Sequence, residues 1–343
     1  MRANLHSLIV WTNETGEANP QSALNRGEAM LRFILSRLAM AIPTVVLVSV
    51  TVFALIRFIP GDPAALMLGD MAQPDQIAAM RVELGLDRSM PQQFLIWAGD
   101  VLRGDFGRSI VNDEAVLPLV VSRFLVSAEI VVVAVLLASL IAVPAGVIAA
   151  WRQNSLTDLA LVGTATVLLS IPTFWLGLLL LLLFGLKLGW LPVLGYVSIS
   201  DNLVDGLLYL VLPVVTLVIH EAGVLIRMAR ASTLEVLRLD YITHARAKGL
   251  SEGAVLWRHA FKNAFGPTWT MIGLILGNLL GGIAVIETVF TIPGLGRLMV
   301  DSIFARDYPV IQGCLLFVAL SYVLVNLVID LLYPLFDPRV VAE

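Results

Sequence analysis

The side chains that could do chemistry are few and badly spaced for it. The chain has four histidines, His6, His220, His244 and His259, and one cysteine, Cys314, so a cysteine-based metal site and an internal disulfide are both excluded. His220-Glu221 is followed by Ala222, Gly223 and Val224, which leaves a zinc-protease HExxH without its second histidine. Gly294-Leu-Gly296 runs into Arg297 with no third glycine at dinucleotide spacing, and reads as a turn after Pro293. No GxxxxGK[ST] phosphate loop occurs, so the chain has no means of hydrolysing ATP by itself. What remains are isolated polar groups in apolar surroundings: Glu129, Glu221, Asn278 and Glu287. No catalytic residue and no metal site is expected.

The surroundings explain why those groups matter. At 58% hydrophobic, 14% charged and a mean hydropathy of +0.89, the 343-residue chain is far more apolar than a water-soluble domain, so it belongs in a lipid bilayer. A formal charge of -4 gives no general basic field, and nucleic acid is not an expected partner. Runs long enough to cross about 30 Å of hydrocarbon lie near 33–56, 124–150, 158–186, 207–230, 268–290 and 310–334. They are continuous rather than alternating, which predicts an all-α protein of six spans and not a barrel. Pro144 and Pro172 fall inside the second and third runs and predict kinks.

More than half of the 22 Lys and Arg residues fall on the side that holds the N-terminus, among them Arg32, Arg37, Arg152, Arg227, Arg230, Arg246 and Lys248. The opposite side carries a long acidic loop. Both termini are therefore expected in the cytoplasm. Residues 1–29 are polar and lack the apolar core of a signal peptide, and they read either as a tail or as an extension preceding a true start at Met30. The expected organisation is a first span at 30–56, an outer loop at 57–122, a five-helix core at 123–334 and a tail at 335–343. Within the outer loop, 73–84 and 91–102 have helical spacing, and serve either as a cover over the spans or as a platform for an external partner.

Ionisable groups inside spans are functional by default. Glu287 and Glu129 lie near predicted span ends, where a snorkelling or helix-terminus role is favoured over contact with a transported solute. Glu221 is nearer mid-span, and either lines a pathway, with Asn278 as a polar neighbour, or pairs with Arg227 or Arg230. Gly273, Gly277 and Gly281 form a four-residue stripe that would let another helix, of this chain or of a partner subunit, approach closely and slide.

The most informative stretch, 231–267, separates the fourth and fifth spans. Here Asp240-Tyr-Ile-Thr-His-Ala-Arg-Ala-Lys-Gly-Leu-Ser251 predicts a short helix with bases near its C-terminal end, stopped at Gly249. Ser251 can cap a second helix, and Pro267 is placed to open the fifth span. A short basic helix on the cytoplasmic face either docks a protein or rests on anionic lipid.

That segment resembles the EAA loop of ABC-transporter permeases of the dipeptide/oligopeptide importer class. Other segments agree in chain order: Ile59-Pro-Gly-Asp-Pro63, Leu84-Gly-Leu-Asp87, Gly104-Asp-Phe-Gly-Arg-Ser109, Ser170-Ile-Pro-Thr-Phe-Trp175, Glu287-Thr-Val-Phe290, Pro293-Gly-Leu-Gly296, Arg306-Asp-Tyr-Pro309 and Asp330-Leu-Leu-Tyr333. The resemblance covers Met30 to about Arg339. Thr243 and His244 depart from the Glu and Ala of the motif's name, Phe265-Gly266 precedes Pro267 where bulkier aliphatics are usual, and Phe124-Leu-Val-Ser-Ala128 lacks a proline.

The resemblance implies the type I importer permease fold in the cell inner membrane, with no cofactor bound by this chain. It implies a second related permease, in this class usually a different chain, two cytoplasmic ATPase subunits carrying ATP and magnesium, and a periplasmic solute-binding protein. Asp240, Tyr241, Ala245, Arg246, Ala247, Lys248, Gly249, Leu250 and Ser251 would then contact the ATPase as a coupling helix. The solute class ranges over dipeptides, oligopeptides, nickel, glutathione, opines and oligosaccharides. A secondary transporter or channel, and a membrane scaffold, are the competing classes; only Glu221 could serve the first as a proton-relay carboxylate.

Overall fold

The computed structural model describes residues 20–58, 63–68, 73–83 and 85–336, with side chains from residue 29 onward apart from 63, 66, 67 and 83. Of the described residues 81% are helical, and none of them lies in a strand. Five helices are long and apolar enough to cross a membrane, and a bent pair brings the number to six. They are α1 (Pro20–Phe58), α5 (Val116–Trp151), α8 (Leu203–Leu237), the run ending in α11 (Phe261–Gly282), α14 (Tyr308–Leu332) and the pair α6 (Leu156–Ser170) and α7 (Thr173–Leu180). Short helices α2 (Pro63–Leu68), α3 (Pro74–Glu83) and α4 (Met90–Leu102) follow the first span, and the last two match the sequence expectation. The remaining helices are α9 (Asp240–Ala247), α10 (Glu252–Ala254), α12 (Ala284–Val289) and α13 (Leu295–Ala305).

The third span departs from the expected kink. Ile171, placed before Pro172, adopts an extended conformation (φ -89°, ψ 120°), as the proline ring requires of its predecessor. The helix therefore ends at Ser170 and restarts at Thr173, with a 93° bend between the two halves, the second ending in a π-helical turn over Leu181–Lys187. Pro144, by contrast, lies inside an unbroken α5. Two other boundaries shift. The second span begins at Val116, ahead of 124, and the fifth begins well before Pro267, because α10, a π-helical turn over Val255–Ala260 and α11 form one helical run. Pro267 sits inside that run, where loss of one backbone donor is tolerated. Part of the expected 1–29 extension is helical, since α1 starts at Pro20; residues 1–19, the segment 59–62 and the tail 337–343 lie outside the described residues.

α5 and α8 form the central pair, and their interface supplies most of the main core, from Ile130 and Val131 to Leu217 and Leu225. Small residues set the approach: a Cβ on Gly146 would meet the carbonyl oxygen of Ile226 at 2.5 Å. α1 stands apart, packed chiefly on α14. The glycine stripe of α11 faces that same α14 within the chain, not a second subunit. A Cβ on Gly273 would collide with Ile329, one on Gly277 would lie 2.7 Å from the Tyr322 ring, and one on Gly281 would lie 3.1 Å from Val318. Gly277→Leu is thus expected to lower the thermal midpoint of the detergent-purified chain, with a cost of about 1–3 kcal/mol from overpacking. Gly282→Ala, which meets nothing within 4 Å, should be neutral.

Two loop networks explain sequence motifs that had no evident job. The Ser109 hydroxyl donates to the Asp307 carboxylate, and the Ile110 N–H donates to the same carboxylate at 3.2 Å, tying the loop between α4 and α5 to the start of α14. Positive φ at Gly104 (84°), Gly107 (82°) and Arg306 (57°) forms the turns that make this meeting possible. The loop between α7 and α8 is held by Glu129, whose carboxylate accepts from the Tyr196 hydroxyl and the Ile199 N–H. Burial, reinforced by that carboxylate, pushes the Tyr196 phenol up to about 12.

Candidate functional site

The connection between α8 and α11 projects as a short helix on a hydrophobic root. α9 is entered through Leu239 in extended conformation, without a side-chain cap. Ile242 is fully buried and Ala245 nearly so, and both pack with Val147, Val236, Val255, Leu256, Ala260 and Ala264. The helix ends where Gly249 takes φ +77°, with its N–H donating to the Arg246 carbonyl at 2.9 Å and the Leu250 N–H to that of Ala245 at 3.4 Å. Nothing lies within 4 Å of a Cβ at Gly249, so glycine is favoured there for conformation rather than for room. Ser251 holds the N-cap position of α10 through its backbone, without the side-chain bond that capping would add.

The expected contact residues divide accordingly. Ala245 faces inward and anchors the helix, a correction to its reading as a contact surface. Tyr241 is tied back, its hydroxyl donating to the His259 carbonyl (3.4 Å) and accepting from Asn263 Nδ2 (3.0 Å). Arg246 is clasped between Glu252 (3.3 Å) and the face of Trp151 (5.6 Å to the ring centroid). Tyr241 and Arg246 keep exposed surface despite these ties, and Asp240, His244, Ala247, Lys248, Gly249, Leu250 and Ser251 are exposed as well. Asp240 at the N-terminal end and Lys248 at the C-terminal end follow the helix dipole. What results is a rigidly rooted helix with a free outer face.

The polar residues of the spans separate just as clearly. Glu287 is fully buried: Oε1 accepts from the Ser127 hydroxyl at 2.5 Å and Oε2 from the Arg297 N–H at 2.7 Å. Ser127 in turn accepts from the Leu295 N–H at 2.8 Å, and Arg123 donates to the Pro293 carbonyl at 3.3 Å. Glu287 and Ser127 therefore satisfy the open N–H groups at the start of α13. This fastening joins α5, α12 and α13, and its carboxylate faces no open lumen. Asn278 is exposed on α11, off the glycine stripe. Glu221 is 8% exposed and has no hydrogen bond or ion pair among the described residues.

The alternative in which Glu221 pairs with Arg230 fails because Arg230 is taken. Its guanidinium makes two bonds to Asp158, Nε to Oδ1 at 2.6 Å and Nη2 to Oδ2 at 2.8 Å. Asp158 also accepts from the Asn154 N–H at 3.0 Å, which fixes the start of α6 against α8. The sequence signal was present in the capping pattern Ser155–Asp158, but nothing in it named the distant arginine. Asp158→Asn is expected to lower stability by about 2 kcal/mol, the worth of a charge-assisted bond. The exchanged pair Asp158→Arg with Arg230→Asp should recover part of that loss in a melting experiment.

Comparison with known proteins gives this geometry a context. A family model described as "Binding-protein-dependent transport system inner membrane component" matches residues 142–342, and its N-terminal companion matches 30–131. The chain is 42% identical over 308 residues, 90% of its length and 98% of the relative's, to a "Probable peptide ABC transporter permease protein y4tP" of Sinorhizobium fredii. It is 39% identical over 335 residues, 91% of its length and 99% of the relative's, to the "Dipeptide transport system permease protein DppB" of Escherichia coli K12. Among solved structures, the inward-facing MetNI methionine ABC transporter aligns with 64% of this chain and 96% of its own, at a TM-score of 0.53 and 17% identity, a likeness of fold.

Proposed function

The chain belongs to the family of binding-protein-dependent transport system inner membrane components, a multi-pass permease subunit of an ABC importer, and from that premise we propose how it works and what it carries. Its solute is a dipeptide or oligopeptide handed over by a periplasmic binding protein, in keeping with the names of relatives that share about 40% identity over most of the chain. The protein lies in the inner membrane with both termini in the cytoplasm, which puts α9 on the cytoplasmic face. It pairs with a second, related permease and two ATPase subunits, and ATP and magnesium sit on those ATPases.

The observation that carries the reading is the form of α9: an inward side buried at Ile242 and Ala245, exposed flanks at Tyr241 and Arg246 that are tied back to neighbouring elements, and an outward side with no occupant among the described residues. A helix fixed on one side transmits displacement to what it is rooted in. α9 is rooted in the ends of α5, α8 and the α10–α11 run, so movement of a docked ATPase shifts those three elements together. ATP binding would draw the ATPases together and rock these spans toward the outward-open state, and hydrolysis would return them. Asn278 on the free side of α11, and Glu221, are the polar positions offered to the pathway.

The test is reconstitution in liposomes with the companion permease, the ATPases and the binding protein, followed by uptake of labelled dipeptide. Accumulation that requires ATP and the binding protein is the expected result. Accumulation driven by an ion gradient without ATPases would instead place the chain among secondary transporters.

A further inference from the structure

On the outer side, the end of α1, α4, the 105–110 loop and the start of α14 line an open-mouthed cavity of about 400 Å³. Two polar atoms in its walls are buried without a hydrogen-bond partner: Nε of Arg57 and Oε1 of Gln93. Gln93 is only 9% exposed, and its amide nitrogen is already committed to the carbonyls of Arg88 (2.9 Å) and Leu86 (3.4 Å), so its oxygen is held as an unfilled acceptor. Arg57 lies 5.1 Å from the centroid of the Phe53 ring and pairs with no carboxylate among the described residues. A partly desolvated guanidinium and an empty acceptor in the lining of one cavity are each costly alone, about 1–3 kcal/mol for each unmet group.

The chemistry that would satisfy both is a zwitterion. Arg57 and Arg88, both in the lining, call for a phosphate or carboxylate, while Gln93 Oε1 calls for an N–H donor; the lining carboxylates Asp100, paired with Arg103 at 3.6 Å, and Asp105, which accepts from the Gly107 N–H at 2.9 Å, add negative charge that favours a cationic donor. Its position decides the source. Arg57 lies in the last turn of α1, where the apolar span meets the outer headgroup layer, and its neighbours Leu55 and Phe58 are 52% and 83% exposed, as lipid-facing residues are. α1 touches the remaining helices mainly through α14, leaving its other flank for acyl chains.

We propose that this cavity binds the headgroup of a phospholipid bearing both a phosphate and a primary ammonium, of the phosphatidylethanolamine type, and that the lipid fastens α1 to α4 and α14. Phosphatidylcholine presents the same phosphate but no N–H donor.

The test is native mass spectrometry of the purified full chain after exchange into bilayers of phosphatidylethanolamine or phosphatidylcholine, counting retained lipid. Retention of phosphatidylethanolamine over phosphatidylcholine by about tenfold is expected, the worth of one charge-assisted bond. Gln93→Met, which removes the unmet acceptor, should abolish the preference, Arg57→Gln should lower retention of both lipids alike, Arg57→Lys should preserve it, and the exposed Arg88→Gln should weaken binding of both without affecting folding. Equal retention of the two lipids by the parent chain, an undiminished preference in Gln93→Met, or unchanged retention of both lipids in Arg57→Gln would overturn the proposal. So would displacement of the lipid by soluble glycerophosphoethanolamine at equal concentration, since the cavity would then take a free solute.

Discussion

Glu287→Ala is expected to leave little folded protein. The carboxylate is fully buried and holds three elements through Ser127 on α5, its own position in α12 and the Arg297 N–H at the start of α13. Its removal leaves a buried backbone donor without a partner and a void where the carboxylate stood. Such losses in buried charged networks run to about 3–5 kcal/mol, a large part of the stability of a whole domain. Gly294→Ala should do comparable harm by the opposite route, since a Cβ there would overlap the Glu287 carboxyl group, which its hydrogen bonds prevent from retreating. Size-exclusion profiles and melting curves in detergent provide the readout. A Glu287→Ala chain that elutes and melts like the parent would show that this network is dispensable.

The second large effect separates function from folding. Leu250→Asp and Ala247→Trp change exposed positions on the free side of α9, so the permease should fold and melt as before. Coupled transport should nevertheless fall at least about thirtyfold, as expected when a central interface residue worth about 2 kcal/mol is lost. Ile242→Ala supplies the contrast. Its side chain is fully buried in the root of the same helix, and truncation should cost about 2–5 kcal/mol of stability. If the surface substitutions destabilise the chain and spare transport, the division of α9 into a root and a docking face is wrong.

Much of this was legible in the sequence because the membrane imposes a simple code. Apolar length gave the spans, and Gly249 after a short run of helix formers gave the end of α9, which the structure places at φ +77°. The errors arose where a local signal has two physical outcomes. A proline within an apolar run can bend, break or sit quietly in a helix; Pro172 breaks one at 93° because Ile171 is extended, whereas Pro144 and Pro267 leave theirs continuous. A helix on the surface also has an inner side, and the motif that marked Ala245 for contact could not say that it points inward. Long-range partners were beyond reach. Asp158–Arg230, Ser109–Asp307 and Ser127–Glu287 join residues between 72 and 198 positions apart, and nothing in their local spacing pairs them.

The central claim is that the outer face of α9 is where force from ATP hydrolysis enters the chain. It is tested most directly by placing a cysteine at Lys248, attaching a short photo-crosslinker and irradiating the assembled importer. Cys314 is fully buried and should not compete for the reagent. The account predicts a crosslink to an ATPase subunit whose yield changes between nucleotide-free and ATP-bound states, and loss of that crosslink when Leu250 is replaced by Asp. An intact, transporting complex with no ATPase crosslink from position 248, 247 or 244 would contradict it.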